Sequence, residues 1–228
     1  MKLFTYIKQT SSRIPGKNFQ TIGNTELWKH LLYELGKWDV YVDTDSTRVI
    51  EECLADPSLS HVTAYNRKQE FIDMENDPSN KLSPALLMVE NFLDKYVADP
   101  EEKIVLTHVT SPFLTHQTVE DAATYLDKDY EFVHSVFPIQ DFAWQGENFT
   151  PLNFNPSVVQ RTQDVDKIYF SKGAFFIFTK KTFKQYKNRL GDKNYYYPLS
   201  SLEAVEIDTE EDLEFARMVY AGRLNEYN

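Results

Sequence analysis

The order of apolar and polar segments constrains the fold of this chain more than any other feature. Residues 3–7 form a short apolar run, a polar loop follows over residues 8–18, and an amphipathic stretch spans residues 26–36. A second apolar run covers residues 38–42. This opening predicts a strand, a loop, a helix and a second strand, which is the building unit of a parallel sheet covered by helices.

The same alternation continues along the chain. We predict helices over residues 47–54, 84–96 and 119–126, and strands over residues 61–65, 104–107, 174–179 and 202–207. Thr209 and the acids that follow it have the composition of a helix start, so a closing helix is expected there. The pattern predicts an α/β fold with a mostly parallel sheet and helices on both faces.

Residues 138–170 interrupt this rhythm. Aromatic residues and prolines are interleaved there with polar residues, without a helical or strand period. We interpret this segment as a lid or dimerisation arm inserted into a single domain of residues 1–228, and a packed surface loop is an equally weighted alternative.

Charge and composition limit the classes of partner. The chain carries 35 acidic and 24 basic residues, a formal net charge of -11. An acidic surface repels polyanions, so we expect no nucleic-acid partner and no anionic-membrane partner. The lone Cys53 cannot form an internal disulfide, and neither a secretory signal nor an apolar run of about 18 residues is present. We therefore expect a cytoplasmic protein.

The basic residues near the beginning of the chain are the first candidate site. Residues 1–25 contain four basic side chains and no acid, so the remaining residues carry a net charge of -15. Lys8, Arg13 and Lys17 share the loop after the first predicted strand, at the edge of an α/β sheet where ligands bind. Together with backbone N–H groups they could hold a triphosphate. A solvated basic loop is the more common origin of such a charge pattern.

Acids near the other end of the chain are the second candidate site. Glu206 and Asp208 are two residues apart on the predicted last strand, so both side chains would point to one hard cation. The neighbouring acids at 210–212 need no metal, because acids stabilise the first turn of a helix.

Several motifs resemble one enzyme family. Ser12-Arg13-Ile14-Pro15-Gly16-Lys17-Asn18 is similar to a loop of the acylneuraminate cytidylyltransferases, the CMP-sialic acid synthetases. The resemblance continues in order and spacing through Thr44-Asp45-Ser46, Thr110-Ser111-Pro112, Val136-Phe137-Pro138, Lys172-Gly173-Ala174 and the run from Glu206 to Leu213. It covers the chain from near residue 5 to near residue 217.

The resemblance implies a Rossmann-like nucleotidyltransferase fold, similar to glycosyltransferase A, with a small dimerisation arm and a homodimeric assembly. It also implies a reaction in which CTP and a nine-carbon 2-keto sugar acid give the CMP-sugar and pyrophosphate, with Mg²⁺ as the cofactor.

The family's site residues transfer to matching positions of this chain. Lys17 and Asp208 would be catalytic, and Glu206 and Asp208 would bind the metal. The residues that match the nucleotide loop are Lys8, Ser12, Arg13, Gly16, Lys17 and Asn18. The residues that match the sugar pocket are His108, Thr110, Ser111, Arg161, Gln163, Lys172, Tyr196 and Tyr197.

The loop also departs from the family pattern. Lys8 replaces an arginine, Ser12 replaces a lysine, and Gln9-Thr10-Ser11 replaces a glycine-rich turn. On the sugar side, His108 and Lys172 stand at positions where the family has other polar residues. Two alternatives follow: a degenerate homologue that binds nucleotide or sugar without turnover, and an enzyme that uses another nucleotide or sugar acid.

Overall fold

The computed structural model of the protein describes residues 1–80 and 82–226. Its strands are β1 (Lys2–Ile7), β2 (Thr21–Ile22), β3 (Thr25–Glu26), β4 (Asp39–Thr44), β5 (Val62–Asn66), β6 (Lys103–Thr107), β7 (Phe132–Ile139), β8 (Trp144–Gln145), β9 (Thr150–Pro151), β10 (Ile168–Thr179) and β11 (Asn194–Pro198). Its helices are α1 (Leu27–Glu34), α2 (Thr47–Ala55), α3 (Gln69–Asn76), α4 (Ala85–Tyr96), α5 (His116–Ala123), α6 (Lys180–Tyr186) and α7 (Glu210–Glu226).

Seven strands form one sheet in the order β11-β7-β10-β6-β1-β4-β5. β1 is parallel to both β4 and β6, β4 is parallel to β5, and β7 is parallel to β11. β10 runs antiparallel to both of its neighbours. The predicted α/β fold with a mostly parallel sheet is therefore confirmed.

Helices cover both faces of the sheet, and the alternation of side chains along the strands explains how. Leu3 and Ile7 on β1 pack with residues of α1, α2 and α5 in one apolar cluster, whereas Phe4 packs with residues of α4 in another. All three side chains are fully buried. A strand with helices on both faces reads as a continuous apolar run, which is why β1 was recognisable in the sequence.

Three loops meet at one edge of the sheet because the strands before them are parallel neighbours. The loop over residues 8–18 follows β1, Asp45 follows β4, and His108 follows β6. The carboxyl ends of adjacent parallel strands point the same way, so these loops line a common crevice.

Two predictions about elements are wrong or incomplete. Residues 202–207 form turns and irregular backbone rather than a final strand, and the Ile207 N–H donates to the Thr110 carbonyl at 2.9 Å instead. The predicted helix at 119–126 is α5, which begins three residues earlier and continues as a 3-10 turn to Lys128. Glu206 and Asp208 therefore do not owe their positions to strand alternation.

The segment predicted to be irregular is shorter than 138–170. β7 extends to Ile139 and β10 begins at Ile168, so two long paired strands lead into and out of it. Between them lies the small hairpin of β8 and β9. Its role as an arm stays a prediction. Among the described residues, no helix is both long and apolar enough to cross a bilayer.

Candidate active site

A pocket of about 510 Å³ opens at the carboxyl edge of β1, β4 and β6. It brings together the basic loop, the end of α3, the residues after β6 and the segment before α7. Its lining residues are Tyr6, Lys8, Thr10, Ser11, Ser12, Arg13, Lys17, Asn18, Asp45, Ile72, Glu75, Asn76, His108, Val109, Thr110, Glu206 and Asp208.

Local contacts fix the shape of the basic loop. Gly16 has a φ of 59°, in the left-handed region that favours glycine, and it precedes a 3-10 turn over Lys17–Phe19. A Cβ at this position would meet nothing within 4 Å, so backbone conformation rather than space requires glycine here. The buried Asn18 donates through Nδ2 to the Lys8 carbonyl at 3.0 Å. Gly16 and Asn18 thus shape the loop, and Asn18 also lines the pocket.

Asp208 is the meeting point of the basic loop and the acidic segment. Its Oδ1 accepts from Arg13 Nη2 at 2.7 Å and from Lys17 Nζ at 3.1 Å. Lys17 Nζ also donates to the Ile207 carbonyl at 2.9 Å. The Lys17 side chain is 13% exposed and that of Arg13 is 62% exposed, so Lys17 is the more firmly held cation.

Lys8 is tied to a buried network through Glu75. Lys8 Nζ lies 2.9 Å from Glu75 Oε1, and Arg67 Nη1 lies 2.7 Å from Glu75 Oε2. Arg67 is itself buried and donates through Nε to Asp43 at 2.6 Å. Glu75 on α3 therefore connects the basic loop to the buried ion pair of Arg67 and Asp43.

Glu206 has an environment that disfavours its charge. Burial raises the pKa of its carboxyl above the ordinary value and the neighbouring Asp208 raises it further, whereas Lys172 lowers it. A carboxylate whose charge is disfavoured by burial and by a neighbouring carboxylate is stabilised by a cation that both groups bind. No group of three metal-ligating side chains occurs within residues 1–80 and 82–222. A pair of acids nevertheless suits Mg²⁺, which keeps water and substrate phosphates among its ligands.

His108 lies between Tyr6 and Glu206. Tyr6 Oη and His108 Nε2 are 3.0 Å apart. Burial and the Arg189 guanidinium lower the pKa of His108 to about 4, so the ring is neutral near pH 7. A Cβ on Gly173 would lie 2.8 Å from His108 Nδ1 and 3.0 Å from Glu206 Oε1. This close approach explains why glycine stands at position 173.

The other residues predicted for the sugar pocket lie in different places. Thr110 lines the pocket, and Ser111 next to it is buried. Lys172 is outside the lining but lowers the pKa of Glu206. Tyr197 lies 5.8 Å from the Phe175 ring in the core cluster, whereas Tyr196 is 53% exposed.

Arg161 and Gln163 lie in the segment between β9 and β10. Arg161 is exposed and pairs with Asp164 through Nε at 2.7 Å. Neither residue lines the pocket of this chain, and their role toward substrate stays a prediction.

Sequence reasoning missed the contribution of α3. Ile72, Glu75 and Asn76 line the pocket, but α3 is short and mostly polar and gave no clear periodic signal. Asp45 belongs to the Thr44-Asp45-Ser46 motif that resembles the family, but it was not assigned to the site. Its Oδ1 accepts from the Gln9 N–H at 2.6 Å, which fixes the loop.

Comparison with known proteins gives two kinds of relative. The profile of a family described as Cytidylyltransferase matches residues 9–228. An N-acylneuraminate cytidylyltransferase of Streptococcus agalactiae serotype V is 24% identical over 216 residues, which are 89% of this chain and 49% of that protein. A pseudaminic acid cytidylyltransferase of Campylobacter jejuni is 23% identical over 222 residues, 92% of this chain and 91% of that protein. The chain spans about half the length of the Streptococcus relative.

Solved structures share the fold at low sequence identity. A CMP:2-keto-3-deoxy-manno-octonic acid synthetase in complex with CTP superposes with a TM-score of 0.65 at 15% identity, covering 97% of this chain and 98% of that chain. A 4-diphosphocytidyl-2C-methyl-D-erythritol synthase gives a TM-score of 0.64 at 11% identity, covering 96% and 98%. These likenesses agree with the Rossmann-like nucleotidyltransferase fold that the motifs implied. Because the profile matches nearly the whole chain, the protein belongs to the cytidylyltransferase family.

Proposed function

We propose that this chain transfers the cytidylyl group of CTP to a sialic-acid-like nonulosonate, with release of pyrophosphate. One observation carries the proposal: Arg13 and Lys17 of the basic loop contact Asp208 in the wall of a single pocket that Glu206 also lines. Membership of the cytidylyltransferase family supports this activity, and relatives named for acylneuraminate and pseudaminic acid support the class of acceptor.

The reaction requires little covalent chemistry from the protein. The anomeric hydroxyl oxygen of the sugar acid forms a bond to the α-phosphorus, the bond from that phosphorus to the β-phosphate oxygen breaks, and the hydroxyl proton is lost. Catalysis then rests on alignment and on neutralising phosphate charge. Lys17, Arg13 and Lys8 are the side chains that would bind the triphosphate.

Glu206 and Asp208 would hold the magnesium ion. Their hard oxygen atoms, and the burial and neighbouring charge that disfavour an ionised Glu206, fit such an ion. When bound, Mg²⁺ neutralises charge on the phosphates and on the pyrophosphate that leaves. Asp208 would then exchange Lys17 and Arg13 for the metal, and both basic side chains would become available to phosphate oxygens.

We also propose a homodimer formed through the segment between β7 and β10. Large apolar side chains there are exposed in the single chain, including Trp144 at 50% and Phe149 at 70%. Contiguous exposed apolar surface marks association sites. A cytoplasmic location is consistent with nucleotide and sugar-acid substrates.

Pyrophosphate release tests the proposed activity. The protein is incubated with Mg²⁺, one of CTP, UTP or GTP, and one of N-acetylneuraminate, legionaminate, pseudaminate or 2-keto-3-deoxy-manno-octonate. We expect release with CTP and at least one of the nine-carbon acids, and its loss in Asp208→Ala. Binding of CTP without turnover of any of the acids would favour a degenerate binding protein. Turnover with UTP or GTP alone would mean that the enzyme uses a nucleotide other than CTP.

A further inference from the structure

Arg189 is a cation without an acidic partner among the side chains that the structure describes. It follows α6, and its guanidinium carbon lies 3.9 Å from the centre of the Phe176 ring on β10. Among residues 1–80 and 82–222, no carboxylate lies within 4.0 Å of it, and its side chain forms no hydrogen bond. It is half-buried, so water screens it only in part. A half-buried arginine without an anion is costly, which points to a ligand.

The groups around Arg189 are aromatic and uncharged. The Phe176 ring also stacks on His134 at 4.3 Å, and the His108 ring lies 6.5 Å from Phe176. Burial and Arg189 lower the pKa of both histidines to about 4, so neither carries a charge near pH 7. Burial likewise raises the pKa of the Tyr6 hydroxyl, which keeps it neutral. We call this group of five residues the Arg189 recess.

The Arg189 recess adjoins the pocket through two residues that they share. Tyr6 and His108 belong both to the recess and to the pocket lining. Tyr196, which the family resemblance placed beside the sugar, lies 6.3 Å from His134 in an edge-on arrangement. Arg189 does not line the pocket itself, but its charge acts on Tyr6 and His108, which do. A ligand that reaches past Tyr6 and His108 would meet the Arg189 guanidinium.

We propose that Arg189 binds the carboxylate of the acceptor sugar acid and selects for an acidic acceptor. This inference rests on the proposed function. A guanidinium presents two parallel N–H groups that match the two oxygens of a carboxylate. Stacking on Phe176 holds its plane in place, so little side-chain entropy is lost on binding. The loop cations match the charges of the triphosphate, which leaves Arg189 for the single charge of the acceptor.

Kinetics of Arg189→Gln and Arg189→Lys test the assignment, with Arg48→Gln as the matched control. Arg48 lies on α2, pairs with Glu26 and Glu52 on the surface and does not line the pocket. We expect Arg189→Gln to raise the KM for the sugar acid about 50-fold, the usual cost of a lost charged hydrogen bond, with the KM for CTP within about 2-fold. Arg189→Lys keeps the positive charge but lacks the two parallel N–H groups of a guanidinium, so we expect an intermediate rise in the KM for the acid.

A neutral competitor separates charge recognition from a loss of shape. The wild-type protein should bind N-acetylneuraminate much more tightly than its methyl ester, and Arg189→Gln should bind both equally. Calorimetry measures both affinities without turnover, and thermal unfolding verifies that each variant is folded. A raised KM for CTP with an unchanged KM for the acid would overturn the inference, because Arg189 would then serve the nucleotide.

The calorimetric arm also distinguishes the two proposals from each other. The wild-type protein could bind the acid without turning it over. Loss of that binding in Arg189→Gln would then support the carboxylate site while the proposed activity fails. Turnover in the wild type with an unchanged preference for acid over ester in Arg189→Gln would overturn the inference while the activity stands. If the wild-type protein binds acid and ester equally, Arg189 does not recognise a carboxylate.

Discussion

Two regions beside the pocket differ in how their positive charges are paired: the basic loop, called the loop end below, and the Arg189 recess, called the recess end. At the loop end, Lys17 and Arg13 share Asp208, and Lys8 pairs with Glu75. At the recess end, Arg189 lies on Phe176 and has no acid within 4.0 Å among the side chains that the structure describes. The loop end must exchange internal partners to bind a ligand, whereas the recess end is already prepared for one.

Exposure explains why exchange at the loop end costs little. Arg13 is 62% exposed and Asp208 is 37% exposed, and ion pairs of this kind contribute about 0–1 kcal/mol. A triphosphate with its metal offers more charge than Asp208 alone, so it can displace these pairs. Arg189 has no ion pair of this kind to give up, because its neighbours in the recess are neutral.

The largest effect is expected from Asp208→Ala. It removes the shared acceptor of Arg13 and Lys17 and one of the two proposed metal ligands. We predict a fall in kcat/KM of about 1,000-fold, the size expected when metal-based stabilisation of phosphate charge is lost. Steady-state pyrophosphate release measures it.

Glu211→Ala is the matched control for Asp208→Ala. Glu211 is an exposed acid in the first turn of α7 and does not line the pocket. The activity of Glu211→Ala should stay within about 2-fold of the wild type, because surface substitutions away from a binding site or the core usually have small effects. Equal losses in both variants would mean that general acidity, rather than the position of Asp208, supports the reaction.

A comparison of Lys17→Met with Lys8→Met sharpens the picture of the loop end. Lys17 is 13% exposed and held by the Ile207 carbonyl, whereas Lys8 is 40% exposed and paired with Glu75. We predict that Lys17→Met lowers kcat/KM about 100-fold, as expected for a positioned charge on the transferring phosphate. Lys8→Met should lower it about 5-fold, because an exposed pair contributes little. The reverse order would contradict the assigned roles.

Glu206→Gln should separate stability from activity. Burial raises the pKa of Glu206, so the folded state binds this proton more tightly than the unfolded chain does, and its contribution to stability decreases as the pH rises above the ordinary glutamate pKa. The neutral amide removes that cost. We predict a Tm about 2 °C higher near pH 7, together with a turnover about 10-fold lower because a metal ligand is weakened.

Calorimetric scans and turnover assays on one Glu206→Gln preparation check both effects. A lower Tm with full activity would show that Glu206 supports the fold rather than a metal. The gain in Tm should shrink toward acidic pH, where the wild-type carboxyl is also protonated.

The smallest effect concerns His134 next to Arg189. Burial and the Arg189 charge together hold its pKa at about 4. In Arg189→Gln the effect of the guanidinium charge disappears and the effect of burial remains. The pKa of His134 should therefore rise but stay below the ordinary histidine value of about 6.5. NMR titration of the ring proton measures this shift, and an unchanged pKa would place Arg189 outside the recess.

The loop end could be predicted from the sequence because its basic residues are close together in the chain and its acids stand out as a charged cluster. Lys8, Arg13 and Lys17 lie in one loop after a recognisable apolar strand, and Asp208 stands beside a helix start with clear cap chemistry. Asp212 indeed accepts from the Thr209 N–H at 2.8 Å. The two charge clusters are about 190 residues apart, and the fold joins them within hydrogen-bond distance.

The recess end could not be predicted in this way. Arg189 follows a short helix in a lysine-rich stretch, and nothing in its sequence context distinguishes it from solvated basic residues. Its surroundings come from β7, β10 and the end of β6, which pair only in three dimensions. The predicted strand at 202–207 failed for a related reason, since the Thr110 carbonyl satisfies the Ile207 N–H from outside any sheet.

Calorimetric titration of CTP with and without Mg²⁺ tests the central claim most directly. If Asp208 passes from Lys17 and Arg13 to a metal when nucleotide binds, Mg²⁺ should tighten CTP binding to the wild-type protein by about 10-fold or more, and Asp208→Ala should abolish that dependence. Equal CTP affinity with and without Mg²⁺ in the wild-type protein would contradict the account.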